Sequence, residues 1–269
     1  MSKTILITGA TDGIGRATAQ ILSEAGHKII VHVRTEEKGK KVVNEIHRKT
    51  GNNSADYVVA DFTSLPQIAE MVSDIKSRYL EIDALINNAG VYRESRNILS
   101  NGLEETFMVN HLAHFFLTLQ LLPLLQKSKN ARIINVSSMI HAVNLDLENL
   151  QGEKYYSGSD AYAKSKLCNL LFTSQLAKNL KLSNIAVNAI HPGVIQTKLL
   201  LAGWGAMGEN PLISAKRFTF LVDNENLNKV TGKYFVNNRQ TNPASIANQK
   251  NVMEKLWEIS SHLISIQGF

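Results

Sequence analysis

Apolar residues follow two alternating rhythms along the chain. Seven short runs, Lys3–Thr8, Lys28–Val33, Asp56–Ala60, Ala84–Asn87, Arg132–Val136, Ile185–Ile190 and Lys233–Val236, are mostly continuous in apolar, often β-branched residues. Strands with so little polar alternation are buried on both faces, as in a parallel sheet covered by helices. Between them the apolar positions recur at helical spacing, as in Ile14–Glu24, Glu36–His47, Leu65–Arg78 and Leu103–Gln126. The β-α-β-α order predicts an α/β fold: a single doubly wound parallel sheet of about seven strands, with helices on both faces.

No repeat, low-complexity tract or Pro/Ser-rich linker divides residues 1–269, which read as one domain. One segment breaks the rhythm. From Val194 to about Asn228 the chain mixes Gly203, Gly205, Gly208 and Pro211 with Leu199, Leu200, Leu201, Trp204, Met207, Leu212 and Ile213. A long irregular stretch inside a compact domain reads as a functional loop, here a substrate lid at about 194–228. Its apolar side chains suit a hydrophobic carbonyl or alcohol. Lys198, Lys216 and Arg217 leave room for an acidic group instead.

Composition narrows the classes. The chain has 44% hydrophobic and 19% charged residues, and 29 Lys+Arg against 23 Asp+Glu leave a formal charge of +6. This is the balance of a globular protein, with chain enough for a core of its own. The charge is dilute. Lys38, Lys40 and Lys41 stand beside Glu36 and Glu37, a solvated helix face rather than a nucleic-acid footprint. The one cysteine, Cys168, allows no intramolecular disulfide, cysteine-rich zinc site or CxxC pair, and His111, His114, His141 and His191 show no metal spacing. The start lacks the apolar stretch and cleavage site of a signal peptide. The longest apolar region, His111–Leu125, is interrupted by His114, Thr118, Gln120 and Pro123, so no membrane span and a cytoplasmic location are expected.

The first strand runs into Thr8-Gly9-Ala10-Thr11-Asp12-Gly13-Ile14-Gly15-Arg16, and a helix follows. Glycines there permit a tight turn and let backbone N–H groups approach a pyrophosphate at the helix N-terminus. The second strand ends in Arg34-Thr35, where an NAD site carries an acidic residue for the ribose 2′-hydroxyl. A cation in that place pairs with a 2′-phosphate, so NADP(H) is expected over NAD(H).

Further motifs follow at the strand ends: Asp61, Asn87-Asn88-Ala89-Gly90, Asn110, Val136-Ser137-Ser138, Tyr162 with Lys166, and Pro192-Gly193. The set resembles the short-chain dehydrogenase/reductase family over about residues 3 to 264. Val33–Gly39, Val136–His141, Ala161–Phe172, His191–Val194 and Thr231–Phe235 look like its retinol dehydrogenase-like branch, which is similar to WW-domain oxidoreductases. Many eukaryotic members of that branch carry an N-terminal membrane segment. This chain starts at the first strand, so membrane attachment is not carried over.

The chemistry also stands on the residues. Tyr162 and Lys166 are i and i+4 on one helix. A tyrosine titrates near pH ~10, and lowering that by about three units takes ~4 kcal/mol, a task Lys166 and an oxidised nicotinamide could share. Ser138 would hydrogen-bond and polarise a carbonyl oxygen, and Tyr162 would protonate it as hydride arrives. The resemblance implies that Asn110 holds a water in the proton relay and that Lys166 also binds the nicotinamide ribose. It implies a cofactor site in which Gly9, Gly13, Ile14 and Gly15 wrap the pyrophosphate and Thr11 and Asp12 also bind the cofactor. Arg34 would take the 2′-phosphate, and Asp61 with Phe62 would meet the adenine. Asn88, Ala89 and Gly90 would line the ribose, and Pro192, Gly193, Ile195 and Thr197 would fix the nicotinamide amide.

His191 reads as packing, His141 as a residue that could reach the substrate pocket, and Cys168 as a small core residue. The final helix reads as a packing stripe. Leu117, Leu121, Leu124, Leu167, Leu171 and Phe172 suit a homodimer or homotetramer face and suit core equally well. The expected activity is NADP(H)-dependent hydride transfer to or from a small-molecule carbonyl or alcohol. An NAD(H)-dependent alcohol dehydrogenase and a non-catalytic NADP-binding regulator stay open as alternatives.

Overall fold

The computed structural model describes residues 2–205 and 208–269. The chain runs β1 Thr4–Ile7, α1 Gly13–Glu24, β2 Lys28–Val33, α2 Glu36–Thr50, β3 Asp56–Val59, α3 Leu65–Arg78 and β4 Ala84–Asn87. There follow α4 Glu105–Phe107, a π-helical turn Met108–Leu112, α5 Ala113–Leu125, β5 Ala131–Val136, α6 Gly158–Asn179 and β6 Ile185–His191. The last elements are α7 Lys198–Trp204, α8 Pro211–Asp223, β7 Tyr234–Val236, β8 Arg239–Thr241 and α9 Lys250–Ser265.

The strand order is β3-β2-β1-β4-β5-β6-β7-β8. Neighbours from β3 to β7 pair in parallel and β8 is antiparallel. Burial on both faces explains the unbroken apolar runs. On β1, Ile5 and Ile7 enter a core shared with α1, α2 and α8, while Leu6 enters the core on the α3, α5, α6 and α9 side. That two-sided packing is the doubly wound α/β arrangement the pattern predicts.

The eighth strand is the addition. Asn237 and Asn238 lie at φ 50° and 62°, which makes a tight hairpin turn that reverses the chain after β7. β8 is exposed throughout, so it carries no apolar run to betray it.

Residues 194–228 depart from the irregular loop the glycines and proline suggest. They form α7, α8 and a short 3-10 turn, Glu225–Leu227. Gly205 is the left-handed cap of α7 at φ 57°. Pro211 opens α8 behind an Asn210 cap, so these residues punctuate helices. Phe218, Leu221 and Val222 of α8 are buried in the core with α1, and only the first half of the segment reaches the cavity described below. Met207 lies outside the described residues.

The stretch Glu105–Leu125 is helical throughout, and by length and composition it is apolar enough to cross a membrane, whereas the interruptions in 111–125 suggest otherwise. In this fold it is mostly buried inside. Leu117, Leu121, Leu124, Leu167, Leu171 and Phe172 all lie in the core of the single chain. Trp257 of α9 packs on Phe115 and Phe172 with ring centroids 4.9 and 6.1 Å apart.

Candidate active site

The carboxyl ends of the strands open onto one cavity of about 670 Å³. It sits where the strand order reverses, β4 lying on the far side of β1 from β2, the usual crevice in open α/β sheets.

The glycine turn forms its floor. Gly9 and Gly13 have φ of 66° and 53°. A Cβ on Gly9 would stand 2.8 Å from the Ala89 Cα, and one on Gly15 would stand 2.5 Å from the Gly9 oxygen. The turn therefore nests against the 88–90 loop as only glycines allow. Asn88 Nδ2 donates to the Thr8 oxygen at 2.7 Å and fixes the same contact. His32, one strand over, accepts the Gly9 N–H on Nδ1 at 3.2 Å and meets the Ala60 oxygen through Nε2 at 2.9 Å. Burial holds its pKa down to about 4, so the ring is neutral.

The residues expected around a dinucleotide all line this cavity. They are Gly9, Thr11, Asp12, Gly13, Ile14 and Gly15 from the turn, Arg34 after β2, Asp61 and Phe62 after β3, and Asn88, Ala89 and Gly90 after β4. Tyr162 and Lys166 of α6, and Pro192, Gly193, Ile195 and Thr197 after β6, complete the set. A glycine cradle at a helix N-terminus and a string of backbone and polar groups across four strand ends fit a nicotinamide dinucleotide. Phe62 is more deeply placed than expected: it is buried and stacks on His32, ring centroids 4.1 Å apart.

Ser138, Tyr162 and Lys166 line the same cavity, and Asn110 stands behind it, fully buried. Ser138 Oγ accepts the Ile140 N–H at 3.2 Å. Lys166 Nζ donates to the Val136 oxygen at 3.3 Å and lies 5.4 Å from the Tyr162 ring centroid. Burial decides the charges. It pushes Tyr162 up to about 12, with the Ser138 hydroxyl pulling the other way, and Lys166 down to about 8. The spacing of Tyr162 and Lys166 suggests a lowered tyrosine; in the protein alone, desolvation outweighs the Ser138 hydrogen bond and Tyr162 keeps its proton.

Asn110 lies in the π-helical turn. Its side chain is spent on the chain itself: Oδ1 accepts the Val91 N–H at 2.8 Å, and Nδ2 donates to the Val91 oxygen and Ser165 Oγ, each at 3.0 Å. Its backbone oxygen accepts from Asn169 Nδ2 at 3.0 Å and from His114 Nδ1 at 3.2 Å. The His114 tautomer follows. Thr8 Oγ1 accepts the Asn88 and Ala89 N–H groups at 2.8 and 2.9 Å and faces two acceptors, the Ile86 oxygen at 3.4 Å and His114 Nε2 at 3.0 Å; because the Asn110 carbonyl oxygen can only accept, the neutral ring must donate there and Nε2 is left to accept from Thr8. Nδ1 then carries the ring hydrogen and donates it to Asn110. Burial keeps this ring neutral too, with a pKa of about 3.

Two more histidines hold the Ser138 loop. His191 Nδ1 accepts the Met139 N–H at 3.3 Å, and His141 Nδ1 bonds the Ser138 oxygen at 2.6 Å. His141 Nε2 accepts the Ala244 N–H, so both of its nitrogens face backbone and it does not line the cavity. Cys168 is buried.

Of the three cations in residues 194–228, Lys198 lines the cavity and two are engaged by the chain itself. Lys198 pairs with Asp12 at 2.8 Å. Arg217 donates to the Pro192 oxygen at 2.6 Å and approaches Glu209 at 3.5 Å. Lys216 does not line the cavity. The places of Tyr92, His32 and His114 around the site carry no signal in the sequence, because their partners are brought together only by the fold. Val109 and Glu105 also line the cavity; Val109 stands beside Asn110 in the π-helical turn and Glu105 opens α4 before it.

The short chain dehydrogenase family model matches residues 3–202. Human retinol dehydrogenase 13 is 36% identical over 283 residues, covering 99% of this chain and 86% of that protein. Mouse retinol dehydrogenase 14 is 33% identical over 289 residues, covering 98% and 86%. Among solved structures, an uncharacterised protein from Mycobacterium paratuberculosis superposes with a TM-score of 0.81 at 28% identity, covering 98% of this chain and 93% of that one. A short chain dehydrogenase from Escherichia coli CFT073, complexed with NADPH, gives 0.73 at 25% identity, covering 88% and 97%. With its doubly wound sheet and strand-end cavity, the chain belongs to the short-chain dehydrogenase/reductase family, in its retinol dehydrogenase-like branch. It is an oxidoreductase of the CH–OH/C=O class, with a fold that binds a nicotinamide cofactor.

Proposed function

We propose that this oxidoreductase is NADP(H)-dependent and moves hydride to or from an uncharged, apolar carbonyl or alcohol, with Tyr162 as acid/base. The observation that carries the reading is one cavity holding Ser138, Tyr162 and Lys166 together with Arg34. β2 and β5 are three strand spacings apart in the sheet, about 14 Å, so a dinucleotide that reaches Arg34 also reaches Tyr162. Arg34 pairs with no carboxylate among the described residues, whereas Arg16 in the glycine turn is engaged by Glu45. A free, planar guanidinium at the end of β2 suits a 2′-phosphate. The NADPH complex of the similar E. coli protein supports the cofactor reading, and the names of the retinol dehydrogenases support an apolar alcohol or carbonyl substrate.

When bound, the cofactor supplies the hydride for reduction and accepts it in oxidation. The chain supplies the rest. The Ser138 hydroxyl donates to the carbonyl oxygen. Tyr162, kept protonated by burial, gives up its phenolic proton as that oxygen gains charge. Lys166, anchored on Val136, is the cation beside the phenolate that remains. Asn110, locked by Val91, Ser165, Asn169 and His114, keeps the π-turn and α6 in register behind them.

Fluorescence titration with NADPH and with NADH, then NADPH consumption with uncharged aldehydes and ketones, tests the proposal. NADPH should bind at least tenfold tighter, ~1.4 kcal/mol, and Arg34→Ala should erase most of that difference. Equal binding of NADH overturns the cofactor assignment, and no consumption across the panel overturns the catalytic one.

A further inference from the structure

Trp204 is the last residue of α7, and its ring stands edge-on to Tyr162. The centroids are 5.3 Å apart and the planes meet at 72°. The same ring lies 5.3 Å from Tyr92, which is itself 6.3 Å from Tyr162. Tyr92 is seated by two missing side chains. A Cβ on Gly158 of α6 would come within 2.5 Å of the Arg93 oxygen and 2.8 Å of the Tyr92 hydroxyl oxygen, and one on Gly203 of α7 within 3.2 Å of the Tyr92 ring. Two helices thus omit side chains to hold one aromatic ring, and that ring braces Trp204 against Tyr162.

Trp204 lines the cavity with Ser138 and Tyr162 and keeps 39% of its surface exposed. A carbonyl placed on Ser138 and Tyr162 must therefore carry its attached group past the indole. The surroundings there are apolar: Met139 and Ile140, on the Ser138 loop, are 62% and 50% exposed. Apart from Lys166, the nearby cations are committed, Lys198 to Asp12 and Arg217 to Pro192 and Glu209. A carboxylate on the substrate finds no partner on this side.

We propose that Trp204 is a specificity-determining residue that favours uncharged substrates with a flat aromatic ring next to the reacting carbon. The inference rests on the assignment of Tyr162 and Ser138 as the reacting centre. A flat ring can lie along the indole, offset or edge-on, as aromatic pairs prefer. A puckered ring of the same size loses that contact.

Benzaldehyde and cyclohexanecarbaldehyde make a matched pair for the test, reduced with NADPH by the wild type, Trp204→Phe and Trp204→Ala. Trp204→Ala should lower kcat/KM for benzaldehyde about fivefold more than for cyclohexanecarbaldehyde, chiefly through KM. Trp204→Phe should follow the wild type, and the Kd for NADPH should stay within about twofold in both variants. A second readout needs no turnover. Benzyl alcohol added to the protein with NADP should change the tryptophan fluorescence of the wild type and leave that of Trp204→Phe, which keeps only Trp257, unchanged. An equal loss on both aldehydes, no loss on either, or no benzyl alcohol signal in the wild type overturns the assignment; so does a signal that survives in Trp204→Phe. If neither aldehyde is reduced but the signal depends on Trp204, the catalytic assignment of Tyr162 falls and that of Trp204 stands.

Discussion

The Thr8 hydroxyl donates to His114 Nε2 across 3.0 Å in the buried interior, and this bond joins the glycine turn to the helix that bears Asn110. The other ring nitrogen holds the Asn110 oxygen, so one neutral imidazole fixes two parts of the site at once. His114→Ala leaves a hydroxyl and a carbonyl short of a partner and opens a cavity. The expected cost is about 2–4 kcal/mol of stability and a roughly tenfold weaker grip on NADPH. Urea denaturation and fluorescence titration measure both. His114→Gln, which can still bridge, should lose much less. An alanine variant as stable and as tight-binding as the wild type would show that the bridge positions nothing.

Lys198 reaches across the cavity mouth to Asp12 at 2.8 Å. Asp12 also accepts the Gly13 N–H at 2.8 Å, a donor at the helix N-terminus where a pyrophosphate is expected. The Lys198 contact draws the Asp12 pKa down, so a carboxylate stands beside the anion site. Asp12→Asn should tighten NADPH about threefold and Lys198→Ala should loosen it about threefold. Both groups are largely exposed, so the differences should shrink in high salt. Salt-independent effects, or effects of opposite sign, would contradict the electrostatic reading.

Lys166 loses its charge as pH rises through about 8, while Tyr162 keeps its proton to about 12. For reduction both must be protonated, so the lysine sets the limit. The profile of kcat/KM for NADPH, which reports groups of the free protein, should be level below neutrality and fall above about pH 8. Lys166→Arg should move that limb beyond the accessible range, at lower overall activity. A limb that stays near pH 8 in the arginine variant belongs to another group.

Four buried histidines link stability to pH. Burial lowers His32, His111 and His191 to about 4 and His114 to about 3, against about 6.5 in an unfolded chain. Between these values the unfolded chain takes up protons that the folded one refuses. The stabilisation is therefore complete above about pH 6.5 and is lost as pH falls toward 4, by up to about 1.4 kcal/mol per histidine per pH unit. Calorimetry should show a thermal midpoint that drops steeply between about pH 6.5 and 4. A flat midpoint over that range would mean that these rings protonate without unfolding.

The doubly wound sheet and the course of the cavity were legible because they rest on local patterns. Ile5 and Ile7 face one core and Leu6 the other, which leaves an unbroken apolar run, and the glycine turn must follow the first strand directly. Gly205 and Pro211 misled for the opposite reason: a cap and a helix start carry the same residue types as a loop, and only packing, here Phe218 and Val222 against α1, tells them apart. The protonation of Tyr162 was illegible because spacing places Lys166 near it but says nothing of burial, and burial is the larger effect. The aromatic trio of Tyr92, Tyr162 and Trp204 comes from three separate segments, and no periodicity connects them.

A single-turnover experiment with Tyr162→Phe tests the central claim most directly. Protein saturated with NADPH is mixed with a carbonyl substrate, and loss of the reduced nicotinamide absorbance is followed. Removing one hydroxyl from a packed ring should leave the NADPH Kd within about twofold and slow hydride transfer by at least a hundredfold, the scale of a lost acid/base group. Transfer at the wild-type rate, with cofactor bound as before, would show that the proton comes from elsewhere and that Tyr162 is not the acid.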